Sequence, residues 1–198
     1  KCKINIRKYL IYVLLATVCD VMPLRKFNRF ISMVALEEFD FNENKLFFEL
    51  YSLNNKKNKI NINDLGFLIG PILNAGGRLG KSNYAVELLS TNDMKIIKKK
   101  SSELFLLNNK RREIETKIID NIDLDEIKKK NEPVIVYYEQ NINEGFIGII
   151  ASRLKDYFNK PAIVITKSND LLKGSARSVY NYNIGRVIKR ALDTKIIS

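Results

Sequence analysis

Four short segments of the sequence place acids, hydroxyls, arginines and glycines where an anion or a metal ion could be held. The first is Asp20, directly after the apolar run Tyr9–Cys19. At the C-terminal end of a helix its carboxylate meets the negative end of the macrodipole, costing about 0.3–1 kcal/mol unless a cation offsets it. Asp20 is therefore either a solvated helix-end acid or a metal ligand, and alone it cannot hold Mg²⁺ or Mn²⁺, which need several oxygens. The second is the loop Gly70-Pro-Ile-Leu-Asn-Ala-Gly-Gly-Arg78. Its glycines would let a phosphodiester approach backbone N–H groups and Arg78 could grip phosphate with paired donors. The same loop suits a tight turn between lobes with Arg78 in a structural ion pair. In the third, Asn143-Glu-Gly-Phe-Ile-Gly-Ile-Ile-Ala-Ser-Arg153, Gly145 stands at a helix N-terminus after a strand, an anion-friendly geometry. Packing of helix on sheet through Gly148 and Ala151 accounts for most of that segment. The fourth, Gly174-Ser-Ala-Arg-Ser178, combines an open strand surface, the hydroxyls of Ser175 and Ser178, and the bidentate fork of Arg177. That set suits a terminal or backbone phosphate, with an exposed turn carrying an ordinary arginine as the alternative.

What the chain lacks narrows the chemistry further. It has no histidine, which removes His-based triads, His-ligated zinc and imidazole acid–base catalysis. Its two cysteines, Cys2 and Cys19, form neither a zinc spacing nor a disulfide scaffold, in keeping with a reducing cytoplasm. Within 198 residues, 34 Lys and Arg face 22 Asp and Glu, a net charge of +12 that favours a polyanionic partner. Abundant Lys alongside Ile and Asn also follows from AT-rich coding, so charge alone does not name that partner. Lys98–Lys100 and Lys110–Arg112 are expected to be solvated faces. A hydrophobic fraction of 45% allows a packed core, in one ordinary domain or two small ones.

These segments need elements to position them. The Tyr9–Cys19 run follows a basic start and imitates a signal peptide, yet is too short to span a membrane. It is expected to be a buried helix ending near Pro23. Helices are expected over Asn28–Ala35 and Phe39–Leu53, a polar loop over Asn54–Asn63, and an irregular loop over Gly66–Gly80, which holds five glycines and a proline. Tyr84–Leu89 is a short helix, and Thr91-Asn-Asp93 caps a long one towards Asp120. Its narrow stripe of Ile97, Leu104, Leu107, Ile114 and Ile118 suits a connector between lobes. Beyond it, strand Pro133–Tyr138, helix Phe146–Phe158, strand Ala162–Thr166, strand Leu171–Val179 and a helix capped by Asn183 predict an α/β module with a mixed sheet.

In this order the segments resemble the bacterial RecJ family, single-strand-specific exonucleases of the DHH phosphoesterase superfamily. Thr17-Val-Cys-Asp-Val-Met-Pro-Leu24 with Asn28-Arg29 is similar to the family's fourth phosphoesterase motif, whose aspartate binds metal. Gly66–Gly80 resembles its Gly-Pro-Arg-x-Asn-Ala-Ala-Gly-Arg-Leu segment, Asn108-Asn-Lys-Arg-Arg-Glu-Ile-Glu115 its linking helix, and Glu144–Leu154 with Gly174–Ser178 two motifs of its DHH-associated domain. Departures are equally specific. Ile72 replaces the loop motif's first arginine, Asn143 a common histidine and Ile142 the preceding tryptophan, so contacts at 72 and 143 do not carry over. The Asp-His-His run and most metal-binding aspartates have no counterpart here, and the chain starts at Lys1 and stops before the family's Gly-Gly-His-rich segment, so it is expected to be an inactive piece of a longer protein.

The resemblance implies an α/β fold in three parts: the rear of a DHH catalytic lobe over 1–82, connecting helices over 83–130, and a DHH-associated nucleic-acid-binding domain over 131–198. It implies a 5′→3′ exonuclease on single-stranded DNA in repair and recombination, with a two-ion Mn²⁺ or Mg²⁺ site to which Asp20 contributes. It places Asn74, Arg78, Gly145, Ser175, Arg177 and Ser178 on the nucleic acid, with Ser175 and Arg177 at the 5′ end. The implied partners are single-stranded DNA and a single-strand-binding protein or helicase, with no membrane, for a cytoplasmic monomer. Competing expectations are an oligonucleotide or cyclic-dinucleotide phosphodiesterase of the same superfamily, and a non-catalytic single-strand-binding or replisome-partner protein.

Overall fold

The computed structural model describes residues 5–197. Cys2 and the first lysines of the basic start lie outside them. The chain forms two compact units, Lys1–Arg111 and Arg112–Ser198.

In the first unit, the apolar run forms α1 (Leu10–Cys19), with Ile11, Leu14 and Leu15 buried. Asp20 closes it, donating its N–H to the Ala16 carbonyl at 2.9 Å. Helix α2 (Lys26–Glu37) follows, then α3 (Lys45–Leu53). The expected start of α3 at Phe39 is six residues too early. Asp40 accepts from the Asn42 N–H at 2.9 Å and the Asn44 side chain binds its carbonyl at 2.8 Å, local bonds that hold turns instead of helix. Phe39 and Phe41 still join the core, edge-on to Phe47 and Tyr51 at 5.6 and 4.9 Å between ring centroids.

The irregular loop expected over Gly66–Gly80 is helical instead. Helix α4 (Ile62–Asp64) runs through a π-helical turn, Leu65–Ile69, into α5 (Gly70–Arg78). Glycines at 66, 70, 76 and 77 disfavour this by about 3–4 kcal/mol in total relative to alanine. Leu65, Ile69, Ile72 and Leu73 are all buried, and burial contributes about 1.5–3 kcal/mol per side chain, so packing wins. Pro71 stands in the first turn of α5, where a missing N–H is tolerated. Gly70 is there because α1 is there: a Cβ at 70 would stand 2.7 Å from Cys19 Sγ and 3.0 Å from the Leu65 carbonyl oxygen.

A buried carboxylate ties this helix to α3. Asp64 accepts from Tyr51 Oη at 2.7 Å, Lys56 Nζ at 2.9 Å and Asn61 Nδ2 at 2.7 Å. Its own N–H donates to Asn61 Oδ1 at 2.9 Å, which caps α4. Burial pushes the Asp64 carboxyl up, but the bonds from Lys56 and Tyr51 outweigh it and hold the group below 3.8. Burial, then the bond to that carboxylate, raises the Tyr51 hydroxyl.

Helix α6 (Asn83–Ser90) is clamped to α7 (Met94–Asp120) by Lys100, whose Nζ lies 2.7 Å from Glu87 Oε2 and 3.7 Å from the centre of the Tyr84 ring. Asp93 caps α7 as expected, accepting from the Lys95 N–H at 2.8 Å. The apolar stripe is only partly the buried one. Ile97 and Leu104 are buried, whereas Ser101, Asn108 and Glu115, spaced by seven, are more deeply buried than Leu107, Ile114 or Ile118.

The second unit begins with the end of α7, then α8 (Leu124–Lys130), within the stretch of connecting helices expected over 83–130. Asp123 caps α8 through the Glu126 N–H at 2.8 Å, and Asn131, at φ 46°, ends it. Strand β1 (Ile135–Tyr138), helix α9 (Glu144–Phe158), strands β2 (Ala162–Ser168) and β3 (Leu171–Arg177), and helix α10 (Ile184–Asp193) complete the unit. The sheet is mixed, in the order β1-β2-β3, with β1 parallel and β3 antiparallel to β2. Asn169 and Asp170, at φ 49° and 61°, form the two-residue hairpin turn between them.

Gly70→Ala should lower stability by about 1–3 kcal/mol in urea denaturation, because two neighbours must move. Adding Cys19→Ala should recover part of that loss, a coupling that independent sites would not show. Because the Asp64 carboxyl lies below its unfolded value, its stabilisation is full above pH 3.8 and fades as pH falls through the folded value. Asp64→Asn should be less stable than the parent at pH 7 and should flatten the fall of unfolding free energy below pH 4, measured by urea titration at each pH.

Candidate nucleic-acid interface

The strand β3 alternates its side chains across the sheet, so Lys173, Ser175 and Arg177 share one face. Their register partners on β2 are Thr166, Val164 and Ala162, all buried beneath α9. Helix α9 therefore covers that face, and Gly148 stands against Ser175 and Arg177. A Cβ added at 148 would stand 3.2 Å from Arg177 Nη2 and 3.3 Å from Ser175 Oγ. The packing role expected of Gly148 thus also sets the room left for the Ser175 hydroxyl and the Arg177 guanidinium. Arg177 is exposed and makes one hydrogen bond, from Nη1 to the Ala176 carbonyl at 3.5 Å, with no acid beside it among the described residues.

The neighbouring charges are matched. Glu144, in the first turn of α9, accepts on Oε2 from Lys173 Nζ at 2.5 Å and from Ser168 Oγ at 2.6 Å. The Lys173 ammonium first, then the Ser168 hydroxyl, hold the Glu144 carboxyl below its ordinary range. Asn143 caps the helix, its Oδ1 accepting from the Gly145 N–H at 2.9 Å, so this N–H of the expected anion-friendly terminus is already engaged. The Ser178 hydroxyl is engaged too: it donates to the Tyr182 carbonyl and accepts from the Ile184 N–H at 3.3 Å, holding the turn into α10.

The other expected residues lie in the first unit. Asn74 is exposed on α5, on the wall of an open cavity of about 740 Å³ shared with Lys8, Tyr12, Cys19 and Asn44. Arg78, one turn on, is half-buried and has an interaction within the protein, so it is not a free cation. Ile72, where the resembling motif has arginine, is wholly buried. Asp20 is exposed at the end of α1. Among the described residues no group of three or more His, Cys, Asp or Glu could hold a metal ion, so Asp20 does not by itself fit a divalent ion. No helix among them is long and apolar enough to cross a membrane.

The structure thus joins Ser175 and Arg177 at one point, and puts Asn74 and Arg78 a turn apart on α5. Lys173 was missed, although alternation from Ser175 and Arg177 would have found it. Its pairing with Glu144, 29 residues away, had no local signal.

Residues 131–195, which carry this sheet and α9, match the DHHA1 domain family. Over nearly its whole length the chain is similar in sequence to proteins of the RecJ family. It is 34% identical over 196 residues to the single-stranded-DNA-specific exonuclease RecJ of Haemophilus influenzae, covering 94% of this chain and 34% of that one. It is 32% identical over 183 residues to the same-named protein of Bacillus subtilis, covering 90% and 23%. The chain spans about a third or less of the length of these relatives. The fold is that of RecJ from Thermus thermophilus in complex with Mn²⁺, with a TM-score of 0.79 at 24% identity over 94% of this chain and 28% of that one. A second RecJ structure, bound to manganese, gives 0.71 at 24% identity over 94% and 46%.

Followed by NMR, the Glu144 side-chain carboxyl should titrate below 4.5, and Lys173→Ala should return it towards that value. An unmoved midpoint in the variant would mean the pair does not form in solution.

Proposed function

We propose that this chain is the strand-holding part of a RecJ-type exonuclease that hydrolyses phosphodiester bonds of single-stranded DNA from the 5′ end. The observation that carries the reading is the juxtaposition at Gly148 of an exposed arginine fork and a serine hydroxyl on a DHHA1-type sheet. Two Arg177 nitrogens can donate to two oxygens of a terminal phosphate while Ser175 donates to a third. Lys173, paired with Glu144, adds only screened charge. Asn74 on α5 is assigned to the sugar–phosphate chain, and Arg78, Gly145 and Ser178 shape the surfaces around these contacts.

The manganese of the RecJ structures supports a divalent ion in the complete protein, where it would supply an activated water and charge stabilisation. Asp20 is assigned as one of its ligands. The described residues do not form that site, so the chain alone is expected to be inactive. In this reading 1–82 belongs to the catalytic lobe, 83–130 links, and 131–198 binds the strand. The complete protein is assigned to the cytoplasm as a monomer acting in repair and recombination, with a single-strand-binding protein or a helicase as its protein partner.

Arg177→Ala should weaken binding of a 5′-phosphorylated single strand by about 1.5–3 kcal/mol, and the same strand with a 5′-hydroxyl much less. Lys99→Ala, on the exposed side of α7, should weaken both alike. Fluorescence anisotropy with both strands at two salt concentrations measures this. Equal losses on the two ends for Arg177→Ala would remove the 5′ end from this face.

A further inference from the structure

We propose that the aromatic pocket at the C-terminal end of α3 holds a nucleobase of single-stranded nucleic acid, a strand contact apart from the Gly174–Ser178 face. The inference rests on the reading that this protein binds a single strand.

The pocket lies in the first unit, open to solvent, with a volume of about 490 Å³. Phe48 and Tyr51 stand one turn apart on α3, and Phe41 packs edge-on to both, at 6.5 and 4.9 Å between ring centroids. Tyr51 is buried and anchored to Asp64, yet the Phe48 ring beside it is 54% exposed. Phe48 thus stands half open beside a ring that the core holds in place. At Asn55, φ 54°, the chain turns back, and the Lys56 N–H returns to the Tyr51 carbonyl at 3.0 Å. That return lines the pocket with Asn55, Lys56 and Lys57.

The charges on this rim are unequal. Lys56 is committed to Asp64 at 2.9 Å. Lys57 is exposed and pairs with no acid among the described residues, and Lys59 follows it in a stretch from Asn54 to Asn63 without one carboxylate. Ser52 gives its hydroxyl proton to the Phe48 carbonyl at 3.0 Å, leaving its lone pairs free to accept. An exposed ring backed by other aromatic rings, with Asn55 and the unpaired Lys57 lining the same pocket, matches a base, its polar edge and its phosphate. The charge complements a polyanion, in a chain whose net charge is +12. A peptide is the poorer fit, because the regular elements among the described residues of this unit are all helices and offer no open strand edge for main-chain bonds.

The test is fluorescence anisotropy on the full chain with a short oligothymidylate and an abasic strand of equal length. Phe48→Ala should weaken the base-bearing strand roughly fivefold to tenfold and leave the abasic strand within about twofold, while Phe48→Tyr should bind like the parent. Lys57→Gln should reduce the slope of log K against log salt by about 0.7 on both strands. Equal losses on both strands for Phe48→Ala would make the effect structural and overturn the pocket, as would unchanged binding of the base-bearing strand. So would displacement of the oligothymidylate by an acidic, phenylalanine-containing peptide that requires Phe48, when the abasic control shows no base dependence. Arg177→Ala is run in parallel: if it weakens a 5′-phosphorylated strand and Phe48→Ala does nothing, only the pocket falls. If neither changes binding, the single-strand reading falls with it.

Discussion

At Gly148, helix α9 comes so near β3 that any side chain would meet Arg177 Nη2 and Ser175 Oγ within 3.3 Å. The helix must lie this close because Phe146, Ile147, Ile150, Ala151 and Leu154 bury themselves on the sheet, against Ala162 and Val164. Hydrophobic packing has no direction, so the missing Cβ decides where the polar edge of the strand ends up. It leaves room for a serine hydroxyl and an arginine fork against that turn of the helix. The same device recurs in the first unit, where Gly70 admits Cys19 and lets α1 cross the helix that carries Asn74 and Arg78.

The net charge of +12 is less informative than its distribution. Several cations are spent on structure: Lys56 on the buried Asp64, Lys100 on Glu87 and the Tyr84 ring, Lys173 on Glu144, and Arg153 on the buried Glu115. Such pairs contribute little to binding a polyanion, since their fields are largely cancelled nearby. Arg177 and Lys57 differ because no acid faces either of them among the described residues. Both stand beside groups that could complete a contact, a hydroxyl for one and an aromatic ring with an amide for the other. A solvated lysine such as Lys99 has the charge without the company, and should act only through the salt-dependent background.

Much of this architecture was legible in local pattern. Strand-type runs marked the strands, and Asp93 and Asn183 announced helix starts they do cap. These signals act over a few residues, because a cap bonds its own helix and alternation states which face is apolar. Ser175 and Arg177 were singled out with Ser178 from one segment, and the structure brings the first two together beside Gly148.

What the tertiary structure alone decided involves partners far apart in the chain. Glycine-rich backbone over residues 66–77 favours a loop by its own conformational entropy, and becomes helix only because Leu65, Ile69, Ile72 and Leu73 find a core built by α1 and α3. The buried polar column Ser101, Asn108 and Glu115 contradicts any hydrophobic template, and Glu115 tolerates burial because Arg153, 38 residues on, lies at 2.8 Å. Ser178 looked like a phosphate ligand by composition, yet its hydroxyl is taken by the backbone leading into α10. Local sequence determined most of the elements and, within each, which side chains share a face. Contacts between distant segments determined which charges are cancelled, which hydroxyls are consumed, and which groups remain to meet a ligand, because electrostatic and packing energies depend on distance in space and not along the chain.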